Sequence, residues 1–211
     1  MTATLIQSPD RVVLKNISWH TYQFLLDDFE QEPAARLTYD EGTLEIRMPL
    51  DPHESYKKIL GRLIEAATEE LGLEVRSLGS RTCGREDLKA GLEPDQCYYI
   101  QNEPLVRGVS QIDLAKLPPP DLAVEVDITS SSLNRFKLYQ KLKVPEIWRF
   151  DGQQLFICLL GDEGYLESDR SMALHPLTPQ SILPFLESNS AAGENATIRL
   201  FRAAIREQAA R

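Results

Sequence analysis

Asp121, Glu125 and Asp127 share one face of a stretch, PDLAVEVDI, that alternates like a strand. Ala123 stands on that face with them, and Leu122, Val124, Val126 and Ile128 occupy the other. A carboxylate in mid-strand between two valines, as Glu125 is, requires water, a cation or a metal ion. A few residues on, SSSLNRFKLYQKLK has helical spacing. At about 100° per residue, Leu133, Phe136, Leu138, Tyr139 and Leu142 define its apolar side. Arg135 falls inside that arc, whereas Lys137 and Lys141 fall outside it. Arg135 is therefore expected to face the sheet and to find an acid there. Upstream, EPDQCYYI places Asp95 at the mouth of another strand. Acids from two neighbouring strand ends suit a hard divalent cation, Mg²⁺ or Mn²⁺, which takes one or two carboxylates and completes its shell with water and substrate phosphate. Such an ion lowers the pKa of a bound water and stabilises charge on a phosphoryl group. Each acid also has a structural reading: Asp121 as a solvated strand-end acid, Asp127 as a cap for the serine-rich turn, and Glu125 as the partner of Arg135.

The elements that must position these residues follow from periodicity and punctuation. Residues 1–16 read as a loose, flexible lead-in to a single domain over 17–211. A helix is expected over 17–29 with Ser18 as its N-cap. Arg36–Tyr39 and Thr43–Met48 form a hairpin around Asp40-Glu41-Gly42. The longest helix spans Asp51–Leu71, with Pro52 in its first turn, an apolar stripe of Ile59, Leu60, Leu63, Ile64, Ala67 and Leu71, and Gly72 as its stop. Strands are expected at Leu73–Leu78, Arg81–Arg85 and Gln96–Gln101, with DLKAGLEPD as a connection and 102–118 as a linker. After the carboxylate strand come a helix over Ser130–Lys143, a hairpin of Glu146–Phe150 and Gln154–Leu160, and a meander through Tyr165–Glu167 and Ala173–Leu177. Helix returns in a short piece from Ser181 to Leu186 and again over Ala196–Ala209. This order predicts a mixed-sheet α/β domain.

Bulk properties bound the function. The chain has 211 residues, is 42% hydrophobic and 26% charged, and carries a net charge of −9. A non-specific polyanion binder is normally basic, so the charge counts against broad nucleic-acid affinity. Arg76, Arg81 and Arg85 with Lys57, Lys58 and Lys89 remain candidates for a local basic rim. Three widely spaced cysteines without a CxxC pair suggest neither a zinc site nor a disulfide framework. No apolar run reaches the roughly 18 residues of a membrane span, and the N-terminus does not read as a signal peptide. The expected location is the cytoplasm, with no membrane partner.

Three segments, LEPDQCYYI, PPPDLAVEVDITSSS and FKLYQKLKVPEIWRFDG, together resemble the Uma-type family of restriction-endonuclease-like proteins, abundant in cyanobacteria. The resemblance covers about Ala35 to Leu160, and VPEIWRFDG is its most specific part. It implies a restriction-endonuclease-like α/β core of the PD-(D/E)xK nuclease superfamily, here with an N-terminal helix and hairpin and a C-terminal helix. Asp95 matches the aspartate of the PD motif and Glu125 the acid of the (D/E)xK motif, which makes both of them expected ligands of Mg²⁺ or Mn²⁺. Asp127 stands where a standard nuclease has lysine. The family commonly moves that lysine onto the following helix, ahead of a tyrosine. Here the tyrosine is Tyr139 and the position holds Arg135. Arginine does not deprotonate in a protein, so it stabilises charge or orients water and is not a general base. Lys137 is close in sequence but points elsewhere. His53 matches a histidine frequent at the start of the long helix and is expected over the site. The resemblance implies a metal-dependent endonuclease, with DNA ahead of RNA as substrate. The alternative is a binding or assembly module that keeps the fold without turnover, which Asp127 and Arg135 favour. A homodimer is also implied, with the hairpin and Tyr98–Tyr99 as candidate contact faces.

Overall fold

The computed structural model describes residues 6–8, 11–29, 35–48, 51–127 and 134–209. The architecture is mixed α/β, as the sequence predicts, and is built on two six-stranded sheets. The first contains β1 (Ile6–Ser8), β2 (Arg11–Leu14), β3 (Arg36–Asp40), β4 (Thr43–Arg47), β6 (Cys83–Arg85) and β7 (Ala90–Leu92), in the order β1-β2-β4-β3-β7-β6. The second contains β5 (Arg76–Gly79), β8 (Gln96–Tyr99), β9 (Leu122–Val126), β10 (Glu146–Phe150), β11 (Leu155–Gly161) and β12 (Gly164–Ser168), in the order β12-β11-β10-β9-β8-β5. The helices are α1 (Trp19–Asp28), α2 (Asp51–Glu70), α3 (Glu103–Val106), α4 (Arg135–Leu142), α5 (Pro179–Ala192) and α6 (Glu194–Ala209). Among the described residues, no helix is long and apolar enough to cross a membrane.

The apolar face of β9 explains the main core. Leu122, Val124 and Val126 point to α2, α5 and α6 and pack with Ile59, Leu60, Leu63, Trp148, Phe150 and Phe201. Each such fully buried aliphatic side chain contributes about 1.5–3 kcal/mol. The α2 stripe is the one its spacing predicts. The helix ends where Gly72 takes a φ of +67°, a conformation that costs a residue with a Cβ.

The opposite, acidic face of β9 does not meet solvent. It lies under α4, whose Leu138, Tyr139 and Leu142 pack on Ala123, Ile147 and Cys158 below and on Cys83, Ala90 and Leu92 of the first sheet above. So α4 is wedged between the two sheets. It is also the crossover that parallel strands require, since β9 and β10 pair in parallel with Glu125 opposite Arg149. Antiparallel pairing of β8 with β9 sets Gln96 against Val124. Asp95, one residue earlier, is thereby carried to the level of Glu125.

Several expectations are corrected. The lead-in is not loose where it is described: RVVL buries Val13 and pairs along β4 as β2, with β1 folded back on it. The connection DLKAGLEPD contains the three-residue strand β7, which joins β3 to β6. The 102–118 linker contains α3 and is pinned by the arginines considered for a basic rim. Arg76 donates to the carbonyls of Val106 and Val109, Arg81 to that of Ile112, and Arg85 to that of Leu114 and to the Asp87 carboxylate. Guanidinium donors thus satisfy a backbone that has no ladder partner. Ala173–Leu177 forms turns and not a strand, because Pro176 has no N–H to donate to a ladder. Helix α5 continues past Leu186 to Ala192. Tyr98 and Tyr99 lie inside the chain, 0% and 1% exposed, and present no face to a second copy. The serine cluster expected to cap α4 lies outside the described residues. There the N-cap is Asn134, whose Oδ1 accepts from the Lys137 N–H at 3.2 Å.

Gly91 in β7 is required by packing. A Cβ there would lie 2.6 Å from the Tyr22 hydroxyl oxygen, and Tyr22 is stacked on Tyr39 with ring centroids 5.0 Å apart. Gly91→Ala is expected to cost about 1–3 kcal/mol, the usual range for overpacking. A thermal melt reads this directly, and an unchanged midpoint would mean that Tyr22 moves aside without cost.

Candidate active site

Asp95 is 0% exposed at the mouth of β8. Its Oδ2 accepts from the Val126 N–H at 2.7 Å and from His53 Nε2 at 3.0 Å. Its Oδ1 is buried and accepts no hydrogen bond, and the nearest cation is Arg47 at 3.9 Å. Burial alone would raise the Asp95 pKa. The His53 contact, the Val126 N–H and the Arg135 charge outweigh it and hold the carboxyl below its usual range.

Glu125 looks across at the same space from β9. Its Oε1 accepts from Arg135 Nη2 at 2.6 Å and from the Tyr139 hydroxyl. Burial pushes its pKa up, the adjacent Arg135 opposes that, and the negative Asp95 adds to it. The surroundings thus shift the two carboxylates in opposite directions, Asp95 down and Glu125 up.

Arg135 occupies the position that the helical angles predict. Its side chain is 11% exposed, and besides Glu125 it donates to Thr38 Oγ1 at 2.7 Å and to the Glu93 carbonyl at 2.7 Å. It thus ties α4 to both sheets. The Glu125 charge beside it helps keep it protonated, although burial works the other way.

His53 in the first turn of α2 is buried against Asp95, as expected. With Nε2 donating to Asp95, its Nδ1 faces Glu54 Oε1 at 3.3 Å without closing a hydrogen bond. Asp127 ends the strand, with its Oδ2 3.9 Å from Arg149 and its Oδ1 buried and unbonded. Lys137 is exposed on the outer side of α4 and does not join the group. Asp121 proves structural: it accepts from the N–H groups of Ile100 and Asn102 and from the Asn102 amide, and so clamps the turn after β8.

Four contributors escape sequence reasoning. Tyr139 reads as one more apolar residue of the α4 stripe, and only its hydroxyl makes it part of the site. Arg47 is 6% exposed in β4. It closes β4, and nothing in the sequence links it to Asp95. Thr38 and the Glu93 carbonyl come from the first sheet, far along the chain from Arg135.

The chemistry of this group fits a hard cation. The unbonded Asp95 Oδ1 and the Glu125 carboxylate are the oxygens such a cation would take. Among the described residues no three His, Cys, Asp or Glu side chains converge as a metal cluster. A cation here would thus use two carboxylates and fill its shell with water and phosphate, the pattern of Mg²⁺.

A model of the family described as Uma2, putative restriction endonuclease, matches residues 19–191. A solved structure described as a putative nuclease belonging to DUF820, from Anabaena variabilis ATCC 29413, is similar at a TM-score of 0.48. It shares 19% identity, and the alignment covers 76% of this chain and 98% of that one. No curated protein matches.

Proposed function

The chain belongs to the Uma2 family, described as putative restriction endonucleases, and from that premise we propose that it is a metal-dependent endonuclease hydrolysing DNA phosphodiester bonds. Asp95 and Glu125 are the metal ligands in this reading. The observation that carries it is the buried, donor-free Asp95 Oδ1 set opposite Glu125. When bound, Mg²⁺ or Mn²⁺ would activate water and stabilise phosphoryl charge. The chain's own residues supply the rest. His53 and the Val126 N–H fix the Asp95 carboxylate through one oxygen and leave the other free. Arg135 holds Glu125 in place and adds positive charge where phosphate charge develops. Asp127 offers a further buried oxygen at the same strand end. A cytoplasmic location and a homodimer bringing two sites to two strands belong to the same reading, and the dimer contact lies away from the buried Tyr98 and Tyr99.

A specific observation favours a second reading. Glu125 Oε1 is already engaged by Arg135 and Tyr139, as a module that had lost turnover would have it. Calorimetric titration of Mn²⁺ into wild type, Asp95→Ala and Glu125→Ala separates the two. The expected result is saturable binding by wild type and none by either variant, followed by cleavage assays on single- and double-stranded DNA. Wild type that binds no Mn²⁺ sinks the nuclease reading and leaves the module.

A further inference from the structure

Three arginines stand in a row across the first sheet. Arg47 in β4 pairs with Arg11 of β2 on one side and with Arg36 of β3 on the other. Residues directly opposite one another share a face, and like charges so placed repel. Thr38 lies on the same face, two residues from Arg36, and accepts a hydrogen bond from Arg135 at 2.7 Å. The row is therefore turned towards the second sheet and its carboxylates. Glu45 stands 3.9 Å from Arg11, and Glu93 lies near Arg36. Arg47 is placed differently. Among the described residues its guanidinium makes no hydrogen bond, and the carboxylate it meets is Asp95, with Oδ1 3.9 Å away.

A guanidinium presents a planar fork of N–H donors that matches the oxygens of a phosphate. Burying it without a hydrogen-bond partner is costly, and Arg47 is only 6% exposed. Other unpaired groups gather around Asp95: its own Oδ1, His53 Nδ1 and Arg135 Nε are all buried without a hydrogen bond. Groups left so in a folded protein mark a place for a polar ligand. Charge decides which kind. A cation on Asp95 Oδ1 would meet the Arg47 charge across a few ångströms and be repelled. An anion between them removes the conflict, and a phosphate oxygen does so by accepting from Arg47 while it faces the cation. The Arg47 side chain keeps 7% of its surface open and that of Arg11 keeps 24%, so the row opens outwards from the site.

We propose that Arg47 grips a backbone phosphate of the nucleic-acid strand, with its guanidinium on a non-bridging oxygen beside Asp95. It rests on the nuclease reading for the identity of the molecule that carries the phosphate. The competing structural account is that Arg47 only balances the buried charge of Asp95.

The test is fluorescence anisotropy of labelled single- and double-stranded oligonucleotides in Ca²⁺, across a salt series, with thermal melts and Mn²⁺ calorimetry alongside. Arg47→Gln is expected to weaken binding by about tenfold, the effect of losing a hydrogen bond between charged groups. The slope of log affinity against log salt should fall by about 0.9 on duplex or about 0.7 on a single strand. Mn²⁺ should bind this variant as tightly as wild type or more tightly, since a repelling charge beside Asp95 is gone. Arg47→Lys should recover the slope without the full affinity, because an ammonium lacks the fork. Wild-type affinity and slope in Arg47→Gln would overturn the proposal and leave the nuclease reading standing. So would Mn²⁺ binding lost from Arg47→Gln alone, by showing that the arginine serves to hold Asp95 in place. Should Arg47→Gln fail to fold, Arg47→Lys decides, since it keeps the charge beside Asp95; wild-type affinity there would overturn the grip. Wild type that binds neither oligonucleotide ends the proposal and the nuclease reading together. Wild type that takes up no Mn²⁺ yet shows the predicted losses ends the nuclease reading and keeps Arg47 as a phosphate contact.

Discussion

Arg135→Met is expected to destabilise the protein by about 3–5 kcal/mol, the cost of stranding one member of a buried ion pair. At about 2–4 °C per kcal/mol for a chain of this size, the midpoint falls by on the order of 10 °C. Three bonds disappear together: to Glu125 in the second sheet, and to Thr38 and the Glu93 carbonyl in the first. Glu125 is left with the Tyr139 hydroxyl as its donor, in a place where burial already raises its pKa. The decisive measurement is a double-mutant cycle with Glu125→Gln. Neutralising the stranded carboxylate should recover about 1–3 kcal/mol, so the double variant loses less than the sum of the singles. Additive losses would show that Arg135 acts only as packing. Mn²⁺ adds a further readout. If Asp95 and Glu125 hold a cation, Mn²⁺ should raise the melting temperature of Arg135→Met more than that of wild type, because the ion replaces a lost positive charge. No rise in either would favour the module reading.

The logic of that bolt was only half visible in the sequence. The strand alternation isolates Glu125, the PD turn isolates Asp95, and the 3.6-residue period turns Arg135 inward. All three signals are local, and the fold honours them. What the local pattern does not carry is the roof. Arg135 meets Thr38 and Glu93 because α4 is wedged beneath the first sheet, and that sheet closes through β7, a strand of Ala, Gly and Leu. Its composition reads as a connection, and Gly91 is there because Tyr22 fills the space of a Cβ. The same gap explains the acidic face. Alternation shows correctly that Glu125 shares a face with Ala123, but not that a helix and a second sheet cover it. Arginine placement fails for a related reason: Arg76, Arg81 and Arg85 look like a surface rim until the carbonyls of residues 106–114 are brought beside them. Family membership adds the metal ligands as an expectation, while the Tyr139 hydroxyl comes from the structure alone.

Glu146→Ala and Glu146→Gln should both be severely destabilising, and the glutamine variant is the informative one. Glu146 opens β10, is 0% exposed, and makes four hydrogen bonds. Its Oε1 accepts from Trp148 Nε1 and the Ser171 hydroxyl, each at 2.6 Å. Its Oε2 accepts from the N–H groups of Met172 and Ala173 at 2.9 and 2.7 Å. Alanine removes the acceptor and leaves a buried indole N–H and two backbone N–H groups unpaired, at about 1–3 kcal/mol each before any water enters. Glutamine keeps the shape and replaces one oxygen with a donor. Neither orientation then works, since the indole nitrogen and the backbone amides can only donate. The expected loss is about 3–5 kcal/mol for alanine and about 2–4 kcal/mol for glutamine, read from denaturant midpoints. Glutamine within about 0.5 kcal/mol of wild type would refute the donor-only account. Mn²⁺ affinity measured below the melting temperature should not change, because Glu146 pairs with Leu122 and Glu125 with Arg149. Three residues of strand, roughly 10 Å, separate their levels in the sheet, and the odd offset puts the two side chains on opposite faces. The glutamate within VPEIWRFDG, the most specific stretch of the family resemblance, therefore secures the strand that positions the site and takes no part in its chemistry.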